Sequence, residues 1–160
     1  MRAKAFCSLG HPGENYESVQ NLKSWIIEAK PDDFDVTVIT VYPACPYWDK
    51  REAVGKTEDG KVIARYVKRS RNRQEDGATL FFEEVNYASE FAFYKGRPGA
   101  YKSHVWTPDL SKEDLVRLRD EVEDDCRKAL GVPYPTRHSG DNFEHSMGQG
   151  LSPQDSRTQS

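Results

Sequence analysis

From Ala3 to Leu9 apolar and polar positions alternate, with Ala3, Ala5, Cys7 and Leu9 on one face and Phe6 on the other, which predicts a short strand. Between Tyr16 and Lys30 the period changes. Val19, Leu22 and Ile26 recur at helical spacing, flanked by Trp25 and Ile27. Asn15 stands where an N-cap belongs, Glu14 and Glu17 suit the positive end of a helix, and Pro31 stops it. Phe34 to Tyr42 is rich in β-branched residues and apolar on both faces, the pattern of a buried parallel strand. A helix between two such strands implies a right-handed parallel crossover.

The pattern then becomes antiparallel in character. Lys61–Lys68 and Ala78–Val85 read as strands, each preceded by an Asp-Gly turn at Asp59-Gly60 and Asp76-Gly77. Arg69 to Asp76 reads as an exposed polar loop, and residues 86–110 as an irregular, aromatic-rich stretch. A strong helix follows. Ser111 and Asp114 form a capping-box pattern, and Leu115, Leu118, Val122, Cys126 and Leu130 line one face. Glu113 with Arg117, and Glu123 with Arg127, are i, i+4 pairs expected on the wet side, and Gly131 and Pro133 end the helix. The tail, residues 133–160, is poor in apolar residues and is expected to be disordered.

Composition narrows the classes. A chain of 160 residues with 36% hydrophobic and 31% charged residues builds a small core under a large solvated surface. A net charge of -3 gives no reason to expect nucleic acid or an anionic membrane as partner. No apolar run approaches the roughly 20 residues of a membrane span, and no signal peptide is evident, so the expectation is a cytoplasmic protein. Cys7, Cys45 and Cys126 are scattered and odd in number, which builds neither a disulfide framework nor a close ligand pair.

The candidate chemistry lies at the end of the first strand. Gly10-His11-Pro12-Gly13-Glu14 is a glycine-proline turn at the carboxyl end of a parallel strand, where α/β proteins bind ligands. It lacks the Gly-Lys-Ser/Thr of a Walker loop and the third glycine of the dinucleotide fingerprint. Taken alone it is either a plain tight turn or a ligand site. Cys45 is either a substrate-contacting thiol or a small, partly buried residue. His11 could donate a hydrogen bond or simply be solvated. His104 reads as structural, and His138 and His145 lack partner ligands at close spacing. Tyr87, Phe91, Phe93, Tyr94, Tyr101 and Trp106 could line a pocket or cap a core. The basic run Lys68-Arg69-Ser70-Arg71-Asn72-Arg73 reads as a solvated loop.

Gly10-His11-Pro12-Gly13-Glu14, the helix after it, and Phe34 through Tyr42-Pro43-Ala44-Cys45-Pro46 together resemble the late barrel strands of radical S-adenosylmethionine enzymes. The likeness is to the branch often fused to a cobalamin-binding domain. Tyr94-Lys95-Gly96-Arg97-Pro98-Gly99, His104-Val105-Trp106-Thr107 and Leu110-Ser111 extend it, so that it covers roughly residues 3 to 132. The resemblance implies an α/β fold: a partial parallel barrel unit over residues 1–50, then an α+β extension over 51–132. It implies that Leu9, Gly10, Pro12, Gly13, Glu14, Val41 and Tyr42 lie against the adenosine of S-adenosylmethionine. It also implies a 4Fe-4S cluster, possible cobalamin, and a small-molecule or peptide substrate under the extension.

The family's Cys-x3-Cys-x2-Cys cluster motif is absent, and Pro43-Ala44-Cys45-Pro46 stands where relatives carry Pro-Gly-Thr-Pro. The first strand begins almost at Met1, with the earlier barrel strands missing. The implied partner is therefore an upstream, cluster-binding half of the barrel, without which the chain is inactive. The competing expectation is a non-enzymatic accessory or binding module on the same α/β scaffold.

Overall fold

The computed structural model describes residues 3–68, 77–87 and 102–134. Strand β1 (Lys4–Leu9), helix α1 (Tyr16–Ala29) and strand β2 (Asp33–Val38) form the expected βαβ unit. β1 and β2 are parallel, in a register running from Lys4 opposite Asp33 to Leu9 opposite Val38. α1 is fixed by local chemistry at both ends. The Asn15 side chain accepts from the Ser18 amide at 3.0 Å, and the Ser18 hydroxyl accepts from the Asn15 amide at 3.1 Å. At the other end Lys30 turns left-handed, with φ 48°, before Pro31.

β2 differs from its expectation. It ends at Val38 and alternates: Phe34, Val36 and Val38 are buried, while Asp33, Asp35 and Thr37 occupy the opposite, partly open face. Lys4 joins that face, 2.8 Å from Asp33 and 3.1 Å from Asp35. The apolar run beyond Val38 belongs to a loop, which is why the sequence looks two-sided.

A single turn, α2 (Pro46–Asp49), leads to an antiparallel sheet ordered β3 (Glu52–Lys56), β4 (Val62–Lys68), β5 (Ala78–Glu83) and β6 (Val105–Trp106). The Asp59-Gly60 turn joins β3 to β4, with Gly60 at φ +84°. β3 is exposed at every position, so it carried no apolar alternation to predict it. The expected 69–76 loop, most of the aromatic stretch, and residues 135–160 of the tail lie outside the described residues. Pro133 and Tyr134, placed in that tail by the sequence, instead meet Arg127, which donates to the Pro133 carbonyl at 2.8 Å and lies over the Tyr134 ring.

Helix α3 (Lys112–Leu130) has the expected cap and buries Leu115, Leu118, Val122 and Cys126. The Glu123–Arg127 pair is not on the wet side. Both side chains are buried, at 5% and 3% exposure, because this face of α3 lies along the outer edge of β2. The Val36 amide donates to Glu123 at 3.0 Å. Arg127 donates to the Phe34 carbonyl at 2.8 Å and Arg119 to the Val36 carbonyl at 2.9 Å. Side chains of a helix thus occupy the hydrogen-bonding edge that a further strand would need.

One apolar cluster joins the two sheets and both long helices, with Leu9, Val19, Ile26, Phe34, Leu80, Phe82, Val105, Leu115 and Leu118 fully buried. Each such side chain contributes about 1.5–3 kcal/mol by leaving water. The class is mixed α/β. Among the described residues the strands make two sheets and no closed barrel, and no helix is long and apolar enough to cross a membrane.

Candidate functional site at the carboxyl ends of the parallel strands

β1 delivers Leu9 into the core and the chain turns at Gly10, whose φ is +90°. A Cβ at Gly10 would stand 2.9 Å from Val105 Cγ2, so neither the angle nor the space admits a side chain. Gly13 repeats the condition, with φ +80° and a virtual Cβ 2.6 Å from the Ala78 Cβ. The turn is therefore pressed onto β5 and β6 of the second sheet, and its glycines are required by that contact.

Its polar groups are largely consumed within the chain. Glu14 folds back so that its carboxylate accepts from the Gly10 and His11 amides. The Glu14 amide donates to His11 O at 3.0 Å and the Gly13 amide to Thr79 O at 3.3 Å. Thr107 Oγ1 donates to the Glu14 carbonyl at 2.8 Å. Burial holds the Glu14 carboxyl above its ordinary range, although the two amides and His11 pull it back. An anion reaches the Gly10 and His11 amides only by displacing this carboxylate. On the outer side of the turn, Ser8 Oγ and His11 Nε2 lie 2.8 Å apart, a polar pair that the sequence did not single out.

After β2, Ile39 still bonds to Leu9 O at 2.8 Å, which brings the two strand ends together. Val41 is fully buried; Tyr42 is 44% exposed, its ring 4.9 Å from that of Tyr87. Burial, with Tyr42, Cys45 and Glu83 around it, pushes the Tyr87 phenol well above its ordinary range. The tight turn survives without its glycine: Ala44 adopts φ 67°, and the Cys45 amide donates to Tyr42 O at 3.2 Å. Leu9, Gly10, Pro12, Gly13, Glu14, Val41 and Tyr42 are thus gathered at one end of the parallel pair. The Leu9 and Val41 side chains face the core, and only the rim of the group faces outward.

The thiols do not assemble a metal centre. Cys7 is buried in β1, with its thiol raised by burial; Cys126 is buried in α3, pushed up to about 11 by burial; Cys45 precedes α2. Among the described residues no group of three His, Cys, Asp or Glu side chains could hold a metal ion. The described residues hold no ligand set for the cluster that the resemblance implies.

A second polar constellation joins β5, β6 and α3. Glu83, 6% exposed, takes His104 Nδ1 at 2.9 Å and the Lys112 ammonium. Burial raises the Glu83 carboxyl, but the hydrogen bonds from His104 and Lys112 outweigh it, and the carboxyl lies below its ordinary range. His104, read from the sequence as structural, is itself buried at 8% exposure. No pattern in the chain marks Glu83 or Lys112 as its partners, because the three come from separate elements. Trp106 stacks on Phe81 at 5.7 Å beneath Lys112.

No family model, no curated protein and no solved structure matches this chain.

Proposed function

We propose that this chain is the carboxyl-terminal portion of a radical S-adenosylmethionine enzyme. In this reading β1 and β2 are the last two strands of a parallel barrel, and the second sheet with α3 is the extension that closes over a small-molecule or peptide substrate. The observation that carries the reading is the asymmetry of the parallel sheet. Arg119, Glu123 and Arg127 occupy the outer edge of β2, whereas β1 pairs with β2 alone among the described residues. A parallel sheet of two strands with one polar, half-open face is an incomplete unit by the ordinary rules of such sheets. Growth is possible only beyond β1, the side on which earlier barrel strands would lie.

The role left to this chain is positional. The Gly10–Glu14 turn and Tyr42 would form the rim at which the adenosine moiety rests, with Ser8 and His11 as hydrogen-bonding groups. The cluster, which supplies reductive cleavage of the cofactor when bound, would be held by the upstream half. The test is co-expression with the product of the upstream reading frame carrying the three-cysteine motif. The expected result is a co-purifying pair that binds S-adenosylmethionine calorimetrically, while this chain alone does not. A chain that assembles about four irons on its own with iron and sulfide would overturn the reading, as would a pair that fails to form.

An accessory module remains the second reading, favoured by one observation. The described residues share a continuous core across both sheets and both helices, which a self-sufficient domain would also have. A sharp, cooperative melt of the isolated chain would support it.

A further inference from the structure

β3 is shorter than the strand it pairs with, and the mismatch leaves a notch in the edge of the second sheet. The ladder between them runs from Glu52 opposite Arg65 to Lys56 opposite Val62. β4 itself continues to Lys68. Beyond Arg65 it keeps β5 on one side, with Tyr66 opposite Leu80 and Val67 opposite Thr79, and has no β3 residue on the other.

The hydrogen bonds fix which backbone groups open into this notch. The Glu84 amide donates to the Val62 carbonyl, so Val62 faces β5. Antiparallel partners exchange both bonds, and the direction alternates along the strand. Ala64 and Tyr66 therefore also serve β5, while Ile63, Arg65 and Val67 direct amide and carbonyl toward β3. Arg65 meets Glu52 there. Val67 meets no strand, and among the described residues nothing takes its amide.

Lys50, Glu52, Arg65, Tyr66 and Val67 line a cavity of about 460 Å³ at this place. That size lies within the roughly 300–1,000 Å³ of small-ligand sites. Arg65 gives Nη2 to Glu52 at 2.8 Å, but its Nε is buried and makes no hydrogen bond. A buried donor normally has a partner. Lys50 forms no ion pair with any described residue. The lining thus sets two cations against one carboxylate. Val67 and the Tyr66 ring, which is braced by Tyr47 at 4.8 Å, supply apolar surface.

We infer that this notch binds a small organic monocarboxylate with an apolar body. Its carboxylate accepts from the Val67 amide, the Arg65 guanidinium and the Lys50 ammonium, and its body lies on Val67 and Tyr66. Charge selects this class. One carboxylate brings the lining to neutrality, whereas a dianion overshoots and a neutral ligand leaves the cations unmatched. The planar guanidinium fork suits a carboxylate. The Glu52–Arg65 pair does not bar entry, because both side chains are largely solvated and such a pair is weakly held.

The inference rests on the edge of β4 and not on the enzymatic reading. The test is titration of the full, nitrogen-15-labelled chain with sodium benzoate, followed by NMR at the Val67 amide and Arg65 Nε. Both signals should move and saturate in the millimolar range. Benzamide, of the same shape without the charge, should move neither. Arg65→Gln should weaken benzoate binding about 10–100-fold. Lys50→Gln should weaken it about 2–5-fold, and Glu52→Gln, which removes the competing carboxylate, should tighten it by a similar factor. Arg117→Gln, on α3, should leave the titration unchanged. Circular dichroism checks each variant, and if Arg65→Gln does not fold, the opposite shifts at Lys50 and Glu52 decide. The inference is overturned by the absence of saturable shifts, by benzamide binding as well as benzoate, or by sulfate binding as tightly as benzoate. None of these results touches the proposed function, whose test requires the upstream partner.

Discussion

Replacing Glu123 separates two roles that a buried ion pair can play. In this protein Glu123 accepts the Val36 amide at 3.0 Å and pairs with Arg127 at 2.6 Å, and Arg127 in turn serves the Phe34 carbonyl. Glu123→Leu leaves the buried Arg127 with only Asp33, 3.4 Å away, as counter-charge, a loss toward the lower end of about 3–5 kcal/mol. Glu123→Gln keeps an oxygen for Val36 and removes only the charge, so it should cost less, about 1–3 kcal/mol. The discriminating variant is the double replacement Glu123→Leu with Arg127→Met. An ordinary buried ion pair replaced by apolar residues of similar volume is often neutral. Here the double variant should stay about 2–6 kcal/mol below the parent, because the Val36 amide and Phe34 carbonyl lose their partners and each such orphan costs about 1–3 kcal/mol. Urea denaturation followed by circular dichroism gives the energies, and amide exchange at Val36 reports the edge directly. If the double variant matches the parent in stability and Val36 stays protected, α3 does not seal β2, and the asymmetry on which the function is argued disappears.

Gly13→Val should destabilise by about 2–4 kcal/mol, since φ +80° and the Ala78 contact both oppose a side chain; a thermal shift under 2 °C would contradict this. Ala44→Gly should stabilise by about 0.5–1 kcal/mol, by relieving a left-handed backbone that glycine adopts freely; equal or lower urea midpoints would refute it. Glu83 has a depressed carboxyl, so its contribution is present above the ordinary glutamate range and is lost as the pH falls below it; stability should drop on acidification, and Glu83→Gln should flatten that slope between about pH 5 and 3. Iodoacetamide at pH 8 should modify Cys45 before Cys7 and Cys126, because burial holds both of the latter thiols above their ordinary range; peptide mass mapping that shows Cys126 reacting first would overturn the assignment.

The sequence by itself determined the elements whose signals are local. α1 and α3 and their caps at Asn15 and Ser111 follow from residues within a few positions of one another. β1 was legible because it alternates against a core, and β4 and β5 because an Asp-Gly turn precedes each strand-like run; β3 was not, because it has no buried face. Tertiary structure decided everything that depends on distant partners. Glu123 and Arg127 show the i, i+4 spacing of a surface pair, and only the approach of β2, 87 residues earlier, makes them buried edge caps. Glu14 looks like a helix-end carboxylate, yet it turns back onto the Gly10 and His11 amides because Ala78, Thr79, Val105 and Thr107 hold the turn against the second sheet. Glu83, His104 and Lys112 meet only because β5, the approach to β6, and the start of α3 converge. Short-range periodicity records what a residue does for its own helix or strand. Which backbone edge is closed, which amides are already taken and which carboxylates are buried depend on contacts that the fold alone creates.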